Sequence, residues 1–156
     1  WLPSSKAQAL GAPVDVDLSK IEPGQKLTVP WRGQPVFVVH RTKQELDSLA
    51  SLNNELRDPM SKEPQQPEYI TEMYRSIKPD YAVFVGLCTH LGCVPLFRPT
   101  PNSVDKGWQG GFFCPCHGSK YDLAGRVYKD VPAPLNLLVP AYKYVSETIV
   151  RIGENP

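Results

Sequence analysis

Apolar and polar positions alternate with a period of two near the start of the chain, where Val14, Val16 and Leu18 interleave with Asp15, Asp17 and Ser19. Such alternation predicts a half-buried strand, and Pro23-Gly24 then turns the chain. Residues 26–29 and 35–40 are β-rich and flank Trp31-Arg32-Gly33-Gln34, whose glycine predicts a hairpin. Thr42 and Glu45 have the spacing of a capping box, and Leu46, Leu49 and Leu52 follow near helical period, predicting a short helix over 43–53. Residues 53–68 turn polar and proline-bearing, which reads as a surface excursion, and 69–77 read as a short helical turn. The most apolar strand candidate is 81–87; 95–111 read as irregular, and 125–128, 135–139 and 148–152 as further short strands. Residues 1–13 lack periodicity and have the composition of a linker. No internal repeat or low-complexity tract interrupts this pattern.

Composition narrows the class. The 17 prolines among 156 residues are roughly twice the average share, and proline lacks the amide donor that helices and central strands need. The expectation is an all-β fold with a short helix and long loops, built around one core with a smaller lobe. Seventeen basic and 16 acidic side chains nearly cancel, which argues against a nucleic-acid binder. The apolar run at 81–87 falls far short of the roughly 20 residues that span a bilayer as a helix. No initiating methionine and no basic-then-apolar leader open the sequence, so Trp1 is expected to be a processed or cut end.

The chemistry is concentrated in two strings, Cys88-Thr89-His90-Leu91-Gly92-Cys93 and Cys114-Pro115-Cys116-His117-Gly118-Ser119. Four cysteines in two tight groups point to a local metal site rather than a disulfide framework. His40, with no cysteine or other histidine near it, reads as an ordinary strand-end residue. Two thiolates and two imidazoles would suit tetrahedral zinc, but zinc would leave Cys93 and Cys116 without a role.

The doubled pattern C-T-H-L-G-C with C-P-C-H-G-S resembles the Rieske family in spacing, ligand order and glycines. The resemblance implies an antiparallel β-sandwich with a small cluster-binding subdomain at about 85–134, inserted in a base subdomain of 14–84 plus 135–156, after a hinge over 1–13. It implies a 2Fe-2S cluster with Cys88 and Cys114 on one iron and His90 and His117 on the other, and a disulfide between Cys93 and Cys116. Two thiolates leave the oxidised site neutral where four would leave it doubly negative. An added electron is therefore better tolerated, within the roughly −150 to +300 mV of Rieske centres. Ser119 and Tyr121 match positions whose hydroxyls donate to cluster sulfur and raise the potential. Each ligating imidazole keeps a second nitrogen for proton exchange, so His90 and His117 are expected to take up a proton with the electron, as a coupled pair, and to contact quinol.

The resemblance is closest to the Rieske subunit of bacterial cytochrome bc complexes, the ubiquinol-cytochrome c reductases. It rests on the long segment between the motifs, the extra cysteines with Ser119 and Tyr121, and Val131-Pro132-Ala133-Pro134-Leu135-Asn136-Leu137, which resembles the family's proline loop. Val131 stands where that loop usually has glycine, and a β-branched side chain resists the conformations glycine allows. By resemblance Leu91, Gly92, Pro132, Ala133 and Pro134 cover the cluster and dock on partners. The implied partners are cytochrome b, a c-type cytochrome and quinol, with a membrane anchor before Trp1 and the domain on the periplasmic side of a bacterial inner membrane. A Rieske ferredoxin and an arsenite-oxidase-type small subunit are the alternatives.

Overall fold

The computed structural model describes residues 12–70 and 73–156, so most of the expected hinge lies outside the described residues. Among the described residues nine strands form three antiparallel sheets of three. In chain order they are β1 (Val14–Asp17), β2 (Lys26–Trp31), β3 (Gln34–His40), β4 (Tyr81–Val85), β5 (Leu96–Arg98), β6 (Gly111–Phe113), β7 (Lys120–Asp122), β8 (Tyr142–Tyr144) and β9 (Ile149–Ile152), with helix α1 (Lys43–Leu49) between β3 and β4. The sheet orders are β1-β9-β8, β2-β3-β4 and β5-β6-β7. This is the all-β class with one short helix that the pattern predicts. Among the described residues no helix is long and apolar enough to cross a membrane.

The first two sheets follow the periodicity. Val16, Val150 and Ile152 turn inward, while Asp15 and Arg151 pair across the outer face at 2.8 Å. Arg32 and Gly33 both have positive φ, 52° and 69°, the signature of a two-residue turn that matches strand twist. The hairpin is thus tighter than expected, pairing Trp31 with Gln34. β3 lies between two neighbours and buries Val36, Phe37, Val38 and Val39 in succession. After β4 the chain passes over Phe37 at Gly86, where any Cβ would stand 2.5 Å from the ring, and so reaches the first cysteine motif.

Around the helix the outcome differs from the pattern. The capping box forms in full, with Thr42 and Glu45 each satisfying the other's backbone N–H. The α-helix then ends at Leu49, and Ala50–Glu55 winds as 3-10 turns that bury Leu52. The 53–68 segment is more than a surface excursion, since Leu56 is buried and bridges to Tyr128. The helical turn expected over 69–77 includes residues outside the described set; in its described part Arg75 has φ 54°, which a right-handed helix excludes. No ladder strand forms at 125–128 or 135–139. Those stretches pair by single bonds instead, Leu137 N–H to Gly125 O and Val85 N–H to Leu138 O at 2.8 Å each.

Three fully buried arginines fasten the turn that leaves β7. Arg41 donates to Leu123 O, and Arg75 to Ala124 O and Leu137 O. Arg126 pairs with Asp122 at 2.8 Å and donates to Leu49 O. Burial lowers Arg41 and Arg75 to about 10, and each remains a cation held by backbone carbonyls. These contacts fix the small sheet β5-β6-β7 against α1 and the long connection.

Candidate metal centre

The two motifs fold into loops with the same backbone frame. In the first, Cys88 N–H donates to Cys93 O at 2.7 Å and Gly92 N–H to Cys88 O at 2.9 Å. In the second, Cys114 N–H donates to Ser119 O at 2.8 Å and Gly118 N–H to Cys114 O at 2.9 Å. Each frame closes over six residues and needs a left-handed residue at the fifth, which Gly92 and Gly118 supply at φ 82° and 80°. The first loop leaves β4 and the second joins β6 to β7. A disulfide between Cys93 and Cys116 ties them together.

Three sulfurs, those of Cys93, Cys114 and Cys116, lie within 4.8 Å of one another. The disulfide commits two of these, leaving Cys114, while the other free thiol, Cys88, is also buried. The His90 and His117 rings meet edge to face with centroids 4.8 Å apart. Among the described residues His90 Nδ1 is buried without a hydrogen-bond partner, and an orphaned imidazole nitrogen is chemically able to serve as a metal ligand. The donors that could hold a metal group here are therefore two thiols and two imidazoles, one of each per loop, and they fit a 2Fe-2S cluster of mixed ligation.

The surroundings treat the two thiols differently. Burial alone would push the Cys88 thiol up, but hydrogen bonds from the Tyr121 hydroxyl, the His90 backbone N–H, Cys114 and Ser119 outweigh it and bring the thiol below its ordinary value. Burial pushes the Cys114 thiol up, and Cys88 beside it adds to the rise. The Tyr121 hydroxyl lies 3.2 Å from Cys88 Sγ, and burial raises the phenol so far that it stays protonated at any working pH. Ser119 is fully buried; its Oγ accepts Ala133 N–H at 3.0 Å.

The proline-bearing loop closes a third side. Ala133 is buried against Ser119, while Pro132 and Pro134 are exposed. Asp130, at the entry to this loop, has φ 61°, whereas Val131 lies outside the left-handed region that favours glycine. Aspartate tolerates that region better than a β-branched residue does. At the tip, Leu91 is 69% exposed and Gly92, Pro115 and His117 are exposed beside it. Among the residues joined to the sulfur donors, sequence reasoning missed Thr89: its backbone N–H donates to the Tyr121 oxygen at 3.0 Å, and its Oγ1 lies 3.2 Å from that oxygen and 2.6 Å from Leu135 O.

Comparison with known proteins agrees with this donor set. The profile of the Rieske [2Fe-2S] domain matches residues 13–143. The ubiquinol-cytochrome c reductase iron-sulfur subunit of Allochromatium vinosum is 54% identical over 155 residues, covering 98% of this chain and 75% of that protein. The subunit of the same name from Bradyrhizobium diazoefficiens is 43% identical, with 97% and 77% covered. Among solved structures, a chain of a hyperthermophilic respiratory Complex III superposes with a TM-score of 0.58 at 28% identity, over 95% of this chain and 80% of that one.

Proposed function

This chain belongs to the Rieske 2Fe-2S family, as the electron-transfer subunit of a bc-type quinol-cytochrome c oxidoreductase with cytochrome b and c partners, and from that premise we propose how its residues divide the work. Cys88 and Cys114 hold the cluster from the buried side, and His90 and His117 hold it from the side nearer solvent. The observation that carries this assignment is the pair of matched loops, each offering one free buried thiol and one imidazole, with His90 Nδ1 buried and without a hydrogen-bond partner among the described residues. When bound, the cluster supplies uptake and release of one electron.

The protein's own groups supply the rest. Tyr121 and Ser119 hold protons toward the Cys88 sulfur and so favour the reduced, more negative site. The exposed His117 ring and the half-buried His90 ring keep a nitrogen each for proton exchange; a quinol hydroxyl hydrogen-bonds to one of them and gives up its proton there as the electron passes. Leu91, Gly92, Pro132 and Pro134 form the exposed cap that docks on cytochrome b and then on the c-type cytochrome, with Ala133 buried beneath it. An exposed leucine beside a redox centre suits such a surface. The span 85–134 acts as the cluster-binding unit, and the domain works at the periplasmic face of a bacterial inner membrane, held by an anchor that precedes Trp1 in the native protein.

A redox titration of the iron-loaded protein at several pH values, read by electron paramagnetic resonance, tests the proton-coupled part. The midpoint potential is expected to hold steady at acid pH and to fall as pH rises through the alkaline range, because protons that accompany the electron become scarce. A pH-independent midpoint would remove His90 and His117 from proton exchange.

A further inference from the structure

Tyr121 has one hydroxyl proton and two acceptors at equal distance. Cys88 Sγ and Thr89 Oγ1 each lie 3.2 Å from the phenol oxygen, which itself accepts the Thr89 backbone N–H at 3.0 Å. Between two hydroxyls either could donate, but the Thr89 proton is already committed. Its Oγ1 stands 2.6 Å from Leu135 O, and a carbonyl cannot donate, so only the Thr89 proton can fill that short contact. Thr89 Oγ1 is therefore an acceptor toward Tyr121. Ser119 has no such conflict on its other side, since the bond that Ala133 makes to it is an N–H donation that leaves the serine proton free.

We infer that Thr89 is a potential-setting residue, which competes with the Cys88 sulfur for the Tyr121 proton and so holds the midpoint below the value that Tyr121 alone would give. The inference rests on the reading of Cys88 as a cluster ligand. Its sign does not depend on how the proton divides. The sulfur pulls hardest on the proton when the site is reduced, and in that state the competitor gains little. In the oxidised state the pull is weaker, and the alternative acceptor stabilises that state more. A competing acceptor can only favour oxidation, and its removal must raise the midpoint. The Leu135 carbonyl is the third member of the arrangement, because by holding the Thr89 proton it leaves Oγ1 with lone pairs alone to offer.

The test is a double-variant cycle of midpoint potentials in the iron-loaded protein, with Thr89→Val, Tyr121→Phe and the pair together. Thr89→Val keeps the shape of the side chain and the backbone donor but removes the competing oxygen. It is expected to shift the midpoint upward by less than Tyr121→Phe shifts it downward. In the Tyr121→Phe background the upward shift should vanish, and Thr89→Ser should stay near the parent value. Resonance Raman spectra should show the iron-sulfur stretch of Cys88 become more sensitive to deuterium exchange in Thr89→Val, as the phenol proton moves fully onto sulfur. If Thr89→Val does not load iron, Thr89→Ala removes the same acceptor without bulk and carries the same expectations. A downward or absent shift, or an equal shift in both backgrounds, overturns the inference. If Tyr121→Phe itself leaves the midpoint unchanged, the reading of Cys88 and Tyr121 has failed, and with it the premise.

Discussion

The two cysteine loops share a frame and differ in chemistry. Each begins with a buried cysteine, closes by the same two backbone bonds and turns at a left-handed glycine. Yet His90 comes two residues after Cys88 and is half-buried, whereas His117 comes three after Cys114 and is exposed. The thiols part further: Cys88 is drawn below its ordinary value and Cys114 is pushed above. The contrast arises outside the frames. Tyr121 and Ser119 both serve Cys88, while burial and the neighbouring Cys88 prevail over the backbone donors around Cys114. A backbone motif repeated twice thus places two buried free thiols, and residues contributed from β7 and its entry make them unequal.

The largest effect should fall on both loops alike. Replacing Cys88 or Cys114 by serine, or His90 or His117 by alanine, is expected to abolish the normal cluster, read as iron and acid-labile sulfide content with the electron paramagnetic resonance signal. A variant from one loop that keeps a full, spectrally unchanged cluster would break the equivalence of the frames. A smaller, equally shared effect should follow Gly92→Ala and Gly118→Ala. Among the described residues nothing lies within 4 Å of a Cβ at either glycine, so the cost is conformational, about 1–2 kcal/mol each. Thermal unfolding should drop by about 2–4 °C per kcal/mol and by the same amount for both. Unequal drops would mean that one loop leans on contacts that the frame does not account for.

What was legible in the sequence divides along another line. The sheets built from β1, β2, β3, β4 and β9 announce themselves, because their strands are long enough for alternation or continuous apolar runs to register. The sheet that carries the site does not. β5, β6 and β7 are three residues each, and of the five residues Phe97, Phe112, Tyr121, Leu96 and Phe113 that face across it only the first three turn toward the core. Three residues cannot display a period. The donors were legible anyway, since thiols and imidazoles at fixed spacing signal chemistry without any fold. Thr89 was not, because its role depends on Tyr121 and Leu135, 32 and 46 residues away. Arg75 was hidden for a similar reason: it falls in 69–77, read as a short helical turn, and nothing local marks its charge as buried, since the carbonyls of Ala124, Gly125 and Leu137 that converge on it lie far along the chain. The proline loop taught a subtler lesson, in that the residue with left-handed backbone there is Asp130 and not Val131.

The smallest expected effect is the sharpest test of the inequality between the loops, and it needs no cluster. In iron-free protein, Cys114→Ser leaves Cys88 as the free thiol, and Cys88→Ser leaves Cys114. Hydrogen bonds to its sulfur keep Cys88 below the ordinary thiol value of about 8.5, so its stabilising contribution is complete above that value and is lost as pH falls through the lowered one. Cys114 is raised by burial, so its contribution is complete below the ordinary value and is lost as pH climbs toward the raised one. Ultraviolet thiolate absorbance should therefore rise at lower pH in Cys114→Ser than in Cys88→Ser. Denaturant unfolding across the same range should give stability that increases with pH in the first variant and decreases in the second. Adding Tyr121→Phe to Cys114→Ser should move its thiolate curve back toward the ordinary value, because the hydrogen bond from that phenol is the largest of those lowering Cys88. Coincident curves for the two single variants would show that the donors around Cys88 do not distinguish it, and the loops would then be alike in chemistry as well as in frame.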